Sequence, residues 1–163
     1  MKLMSAVSIL VFSSLAMAID ETSDAKKAIE LRFAQISKAF SEKNIKSVEA
    51  IFTDDFKAKS SGKPASSRSD FFKEFESQMK LMSSVKWSRK IKKFTLEKGV
   101  AHILIESEMT SKVDSENGKP QDFRIVSMTK NEWVKGRQGW QIRYSESIES
   151  KMWLDGKELN SGG

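Results

Sequence analysis

Between residues 24 and 43 the apolar side chains Ile29, Phe33, Ile36 and Phe40 are spaced four, three and four apart. That spacing follows the turn of an α-helix and predicts one apolar stripe on an amphipathic helix. Asp24 or Ser23 is placed to cap its start by accepting a free backbone N–H, and Asn44 to stop it. Ile45, Val48, Ile51 and Phe52 share one face of a shorter helix that follows. From Asp70, the segment DFFKEFESQMKLM sets Phe71, Phe72, Phe75, Met79 and Met82 on a third helical face, with Ser69 or Asp70 as its cap. After Ser84 the period shortens towards two, and four strands are expected over about 85–97, 100–113, 121–134 and 139–150. Their connections carry turn chemistry: EKGV (97–100), DSENGKP (114–120) and KGRQG (135–139). Asp155-Gly156 adds a turn in the tail. Helices followed by a continuous meander predict an α+β fold, with the N-terminal helices packed on one face of an antiparallel sheet.

The first eighteen residues stand outside this pattern. MKLMSAVSILVFSSLAMA has an early Lys2, an apolar run and small residues at Ala16 and Ala18, which is the plan of a secretory signal peptide. Cleavage is expected after Ala18, leaving residues 19–163 as a single domain of ordinary size with its core at about 24–150. The run is short for a membrane span of ~20 residues, so no transmembrane segment is expected after cleavage. The expected location is exported, periplasmic or secreted. The sequence has no Cys, so an exported fold of this kind rests on packing and not on disulfides, and thiol chemistry is excluded. A net charge of +6 with both signs well mixed favours anionic surfaces only weakly.

Three stretches carry a family likeness. SEKNIKSVEAIFTDDFKAKSSGK (41–63) runs from a short helix through an acidic DDF to a glycine turn. SRSDFFKEF (67–75) starts a helix after Ser-Arg, and NEWVKGRQGWQIRYSES (131–147) joins a Trp strand to GWQI through a glycine turn. In these stretches and in the order of its elements, over about residues 24–150, the chain resembles the nuclear transport factor 2-like superfamily, with its SnoaL-like and ketosteroid-isomerase-like members. The resemblance implies a cone-shaped fold: a strongly curved sheet wrapped against the helices, with a cavity at its open end. It implies no single activity, because the fold hosts isomerases, cyclases, dehydratases, transport factors and plain binding modules. It also implies a possible homodimer through the sheet. No residue here matches the ketosteroid isomerase motif well enough to carry over a role.

Candidate chemistry is sparse. Asp54 and Asp55 are adjacent acids, and either one, if buried at the cavity mouth, would act as a base near neutral pH. The simpler reading is that Thr53, Asp54 and Asp55 end the short helix in a turn, with Phe56 entering the core. In strand 100–113 the set Ala101, Ile103, Ile105, Ser107 and Met109 is the more apolar and is placed inward, which puts His102, Glu106 and Glu108 outside. The opposite register would line the cavity with His102 and Glu106. In the next two strands Phe123, Ile125, Ser127, Thr129 and Trp133, then Trp140, Ile142, Tyr144 and Ile148, are placed inward. Of these, Phe123, Ser127, Trp133, Trp140 and Tyr144 are the candidate ligand-binding residues, and ordinary core packing is their alternative role. KWSRKIKK (86–93) is read as a solvated strand edge rather than a specific nucleic-acid site, because strand alternation divides its charges between two faces.

With one His, no Cys and no phosphate-cradling or nucleophile-elbow motif, no metal and no cofactor is expected. The leading functional expectation is an exported, non-catalytic domain that binds a small apolar ligand, or a protein partner, through its cavity or sheet face. The alternative is a lyase or isomerase of ketosteroid-isomerase type, with Asp54 or Asp55 as base and Tyr144 as hydrogen-bond donor.

Overall fold

A computed structural model describes residues 6–60, 62–114 and 118–159, with residues 6–19 described for their backbone alone. The expected leader therefore lies wholly outside the described side chains, and part of the expected turn at 114–120 lies outside the described residues. Helix α1 spans Ala6–Ser41 and α2 spans Ile45–Glu49. Strands β1 (Phe52–Lys59) and β2 (Ser66–Ser67) precede helix α3 (Arg68–Leu81). Strands β3 (Met82–Glu97), β4 (Val100–Asp114), β5 (Pro120–Gly136), β6 (Gly139–Leu154) and β7 (Lys157–Leu159) follow.

The stripe read from the sequence is the buried face of α1: Ile29, Phe33, Ile36 and Phe40 are all at most 7% exposed. Each such side chain contributes roughly 1.5–3 kcal/mol by leaving water. Neither Ser23 nor Asp24 caps this helix, because α1 runs through them unbroken. Residues 6–41 contain no Gly or Pro, the residues that would interrupt it most cheaply. Asn44 instead caps α2, its Oδ1 accepting from Ser47 N at 3.1 Å. Helix α3 begins after Ser67 rather than after Ser69: Ser67 Oγ accepts from Asp70 N at 3.2 Å and donates to the Asp70 carboxylate at 2.6 Å. The first of these bonds satisfies one free amide of the helix's first turn, and the second holds the Ser67 hydroxyl in place for it.

The predicted meander forms, with β3, β4, β5 and β6 pairing antiparallel in succession. Two hairpins of the sheet, β3–β4 and β6–β7, close on left-handed pairs, Lys98-Gly99 and Asp155-Gly156, which match the right-handed twist of the strands they join. The sheet is larger than the four strands expected. Its order is β2-β1-β6-β5-β4-β3, with β7 added beside β6, and it is curved and open rather than closed into a barrel. The helices lie against it, so the α+β expectation and the cone both hold.

The segment TDDF is not a turn. It lies inside β1, which runs parallel to β6, with Phe52 opposite Ile142 and Lys57 opposite Tyr144. Phe56 is 1% exposed and enters the core as expected. It packs edge-on to Phe52 and Phe71, joining β1 to α3.

Candidate functional site

Helices and sheet enclose a cavity of about 180 Å³. The helices line it with rings: Phe33 and Phe40 from α1, Phe71 and Phe75 from α3, with Phe52 at the start of β1. The sheet lines it with a narrower, polar strip of Ser107, Thr129, Asn131 and Ser145, flanked by Ile105 and Ile142. Asn131 is 8% exposed and donates from Nδ2 to Ser145 Oγ at 2.8 Å. Ser107 and Ser127 hydroxyls meet at 2.8 Å. A more open cleft shares Phe71, Phe75, Thr129 and Ser145 with the cavity and adds Ser127, Ser147 and Ser150.

One charged side chain lines the cavity, that of Arg89 on β3. Its guanidinium lies 3.6 Å from the ring centre of Trp87 and 4.5 Å from that of Phe33. Nη2 donates to Ser37 Oγ at 3.1 Å, and that hydroxyl lies 3.4 Å from the Trp87 carbonyl. Nε and Nη1 are buried with no protein partner. Burial disfavours the cation and pulls the Arg89 pKa down to about 9. The contrast is Arg68, whose Nη1 pairs with Glu49 at 2.9 Å.

The sequence candidates scatter. Asp54 and Asp55 are both exposed on β1, and neither lines the cavity. Ser127 borders the adjoining cleft. Trp133 is completely buried and packs edge-on to Phe33 at 5.0 Å, behind the cavity wall. Trp140 is 8% exposed and borders a groove beside Arg32 and Lys135. Phe123 is half-buried, opposite Ser111 and Leu154, away from the cavity. Tyr144 does not line the cavity either.

The reason for the last placement is a bulge. Glu132 opposes Tyr144 and Trp133 opposes Ile142, so Arg143 is an extra residue on β6. An inserted residue reverses the alternation beyond it. The face carrying Trp140 and Ile142 continues as Ser145 and Ser147 rather than as Tyr144. A second extra residue, Ile148, sits between Ser147 and Glu149, and it is 43% exposed where the sequence pattern placed it inward. On β4 the register chosen from the sequence holds: Ala101, Ile103 and Ile105 are at most 4% exposed. His102 lies on the outer face, Nδ1 3.8 Å from Glu132 Oε1.

Arg89 and Asn131 were not singled out as site residues by sequence reasoning. The signal for Arg89 was present. Val85, Trp87, Arg89 and Ile91 alternate on one face of β3, so an arginine occupies a position in an otherwise apolar row. Lys86, Lys90, Lys92 and Lys93 are exposed, as the solvated-edge reading expects. Among the described residues no group of three His, Asp or Glu side chains is placed to hold a metal ion.

No protein-family model and no curated protein sequence matches the chain. Solved structures do resemble it. A candidate scytalone dehydratase from Novosphingobium aromaticivorans superposes with a TM-score of 0.67 at 13% identity, covering 86% of this chain and 99% of that one. A candidate dehydratase of the nuclear transport factor 2-like family from Streptomyces avermitilis gives 0.61 at 10% identity, covering 77% and 96%. A ketosteroid isomerase-like protein from Erwinia carotovora atroseptica gives 0.51 at 20% identity, covering 76% and 95%. Identities this low speak for architecture alone. With helices on a curved open sheet and a cavity between them, the chain has the nuclear transport factor 2-like fold.

Proposed function

We propose that this chain is an exported, non-catalytic binding domain whose cavity takes one small, largely apolar molecule. The observation that carries the reading is the cavity itself. At about 180 Å³ it exceeds the ~150 Å³ that suffices for a benzene-sized guest. Its wall is mostly aromatic and aliphatic, with a few polar groups on one side, which is the usual make-up of a ligand site. None of its lining residues carries a carboxyl, imidazole or phenol group. A proton-abstracting role for Asp54 or Asp55 would require the chain to bring an exposed strand residue to a cavity it does not border.

The outer sheet face supports ligand over partner. It carries cross-strand ion pairs, Lys92 with Glu106, Arg124 with Glu108 and Arg143 with Glu132. Charged rows of this kind are depleted from the cores of stable interfaces. Export rests on the leader pattern of residues 1–18. N-terminal sequencing of the protein from its own host should read from Ile19, and a chain beginning at Met1 would argue against cleavage.

The cavity is tested with toluene, a ring-sized neutral probe, followed through the change in tryptophan fluorescence, Trp87 being the one of the four tryptophans that lines the cavity. Toluene should bind the native protein and should not bind Thr129→Phe, which fills the cavity from β5 with a residue that strands tolerate. No binding to the native protein, or equal binding to a folded Thr129→Phe variant, would place the guest elsewhere.

A further inference from the structure

Arg89 is an expensive residue to leave where it is. Nε carries one N–H and Nη1 carries two, so three of the five guanidinium donors are without a protein partner. Buried donors in this state cost free energy, and more so when they are charged. Among the described residues no carboxylate pairs with it: Glu106 and Glu108 border a surface groove together with Arg89 but pair with Lys92 and Arg124. No lining residue of the cavity is acidic. Glu30 borders the neighbouring cleft between α1 and β3 together with Arg89, yet forms no ion pair with it. What the surroundings do offer is position: Trp87 and Phe33 hold the guanidinium plane, and Ser37 fixes Nη2. A cation held in place with unmet donors, in a wall that is otherwise uncharged and mostly apolar, is half of a charge-assisted hydrogen bond.

Resting on the cavity reading above, we propose that the ligand is an organic monocarboxylate, its ring-sized apolar body among Phe40, Phe71 and Phe75 and its carboxylate against Arg89. The charge count selects a monoanion. Arg89 is the single cation of the cavity lining, so a dianion such as a phosphate monoester would bring one uncompensated charge into an apolar site. Asn131 and Ser145, joined by their own hydrogen bond on the sheet side, leave the guanidinium as the principal group that reads charge.

The test compares benzoate, benzamide and toluene on the full chain by titration calorimetry near neutral pH. The three probes share a ring and differ in charge and polarity. Benzoate should bind about ten- to a hundredfold more tightly than benzamide, the range expected of one charge-assisted hydrogen-bond set. Arg89→Met should lose that preference while still binding toluene, which shows its cavity intact. Arg89→Lys, which keeps the charge but not the fork of donors, should retain a reduced preference and guards against a Met variant that fails to fold. If toluene or benzamide binds and benzoate binds no better, the carboxylate proposal falls while the cavity reading stands. A benzoate preference that survives in folded Arg89→Met overturns the assignment to Arg89. If none of the three binds, the cavity reading itself fails.

Discussion

Replacing Arg89 with Met should stabilise the ligand-free protein. Met preserves most of the unbranched side-chain volume, so no large void is left beside Trp87 and Phe33. The two buried nitrogens without partners cost about 2 kcal/mol each, so about 4 kcal/mol is relieved. Against this, the contacts with the two rings contribute roughly 1.5 kcal/mol and the Ser37 hydrogen bond roughly 1 kcal/mol. The balance favours the variant by about 1–2 kcal/mol. In a domain of this size each kcal/mol moves Tm by about 3 °C, so a rise of about 3–6 °C is expected. The sign of the pH dependence agrees. The folded pKa, about 9, lies below the ordinary arginine value, so the unfolded chain holds more protons between the two. The cost of burying this cation is therefore fully present below about pH 9 and is relieved as pH rises above it. The assay is a thermal scan at neutral pH on protein refolded from denaturant, which removes any resident ligand. Saturating benzoate should then raise the native Tm, by an amount equivalent to ~2.7 kcal/mol at a hundred times its Kd, and at the same concentration raise the variant's by no more than about half as much. A ligand-free Arg89→Met variant that melts several degrees below the native protein would refute the reasoning, because it would show the guanidinium to be satisfied without a ligand.

Three further outcomes follow from other parts of the fold. Ile29→Ala should cost about 2–5 kcal/mol in denaturant unfolding, while Leu31→Ala, two residues along the same helix and 68% exposed, should stay within ~0.5 kcal/mol. Lys98→Asn should raise Tm slightly, by an amount equivalent to a few tenths of a kcal/mol, because Lys98 holds φ at +49° in a hairpin turn where Asn is at less disadvantage. Asp155 accepts from the Asp122 backbone N–H at 2.9 Å and from Gln121 Nε2 at 2.9 Å, and these bonds hold its pKa below the usual carboxylate value. Its contribution to stability is present above the unfolded pKa and is lost as pH falls through the folded one, so Asp155→Asn should flatten the acid limb of the stability curve, read by carboxyl NMR titration alongside unfolding.

Much of the architecture was legible because burial imposes a period. The α1 stripe could be read directly, since Ile29, Phe33, Ile36 and Phe40 face one core along one unbroken helix. The same holds for β4, where Ala101, Ile103 and Ile105 alternate without interruption. Strand β1 was not legible. Asp54 and Asp55 are poor strand formers, and their exposure gives no alternating signal, so TDDF reads locally as a turn. Its place in the sheet comes from parallel pairing with β6, a contact between residues about ninety positions apart. The candidate site suffered most on β6. Two inserted residues, Arg143 and Ile148, shift its facing, and no pattern of apolar residues marks an insertion in advance. The pattern of β6 therefore puts Tyr144 on the wrong side of the sheet and gives no sign that Ser145, Ser147 and Ser150 border the adjoining cleft. Arg89 was visible as a misfit in the β3 row, but its neighbours Lys90, Lys92 and Lys93 drew it into the reading of a solvated basic edge.

The central claim is that the cavity between helices and sheet holds a small apolar acid. Native mass spectrometry of the full chain, purified from its own host without denaturation, addresses it most directly. The account predicts a recurrent bound species that dissociates as a carboxylic acid of about ring size, present in the native protein and missing from Arg89→Met. Repeated preparations showing only the bare chain, or a recurrent ligand that is cationic or devoid of an acidic group, would contradict it.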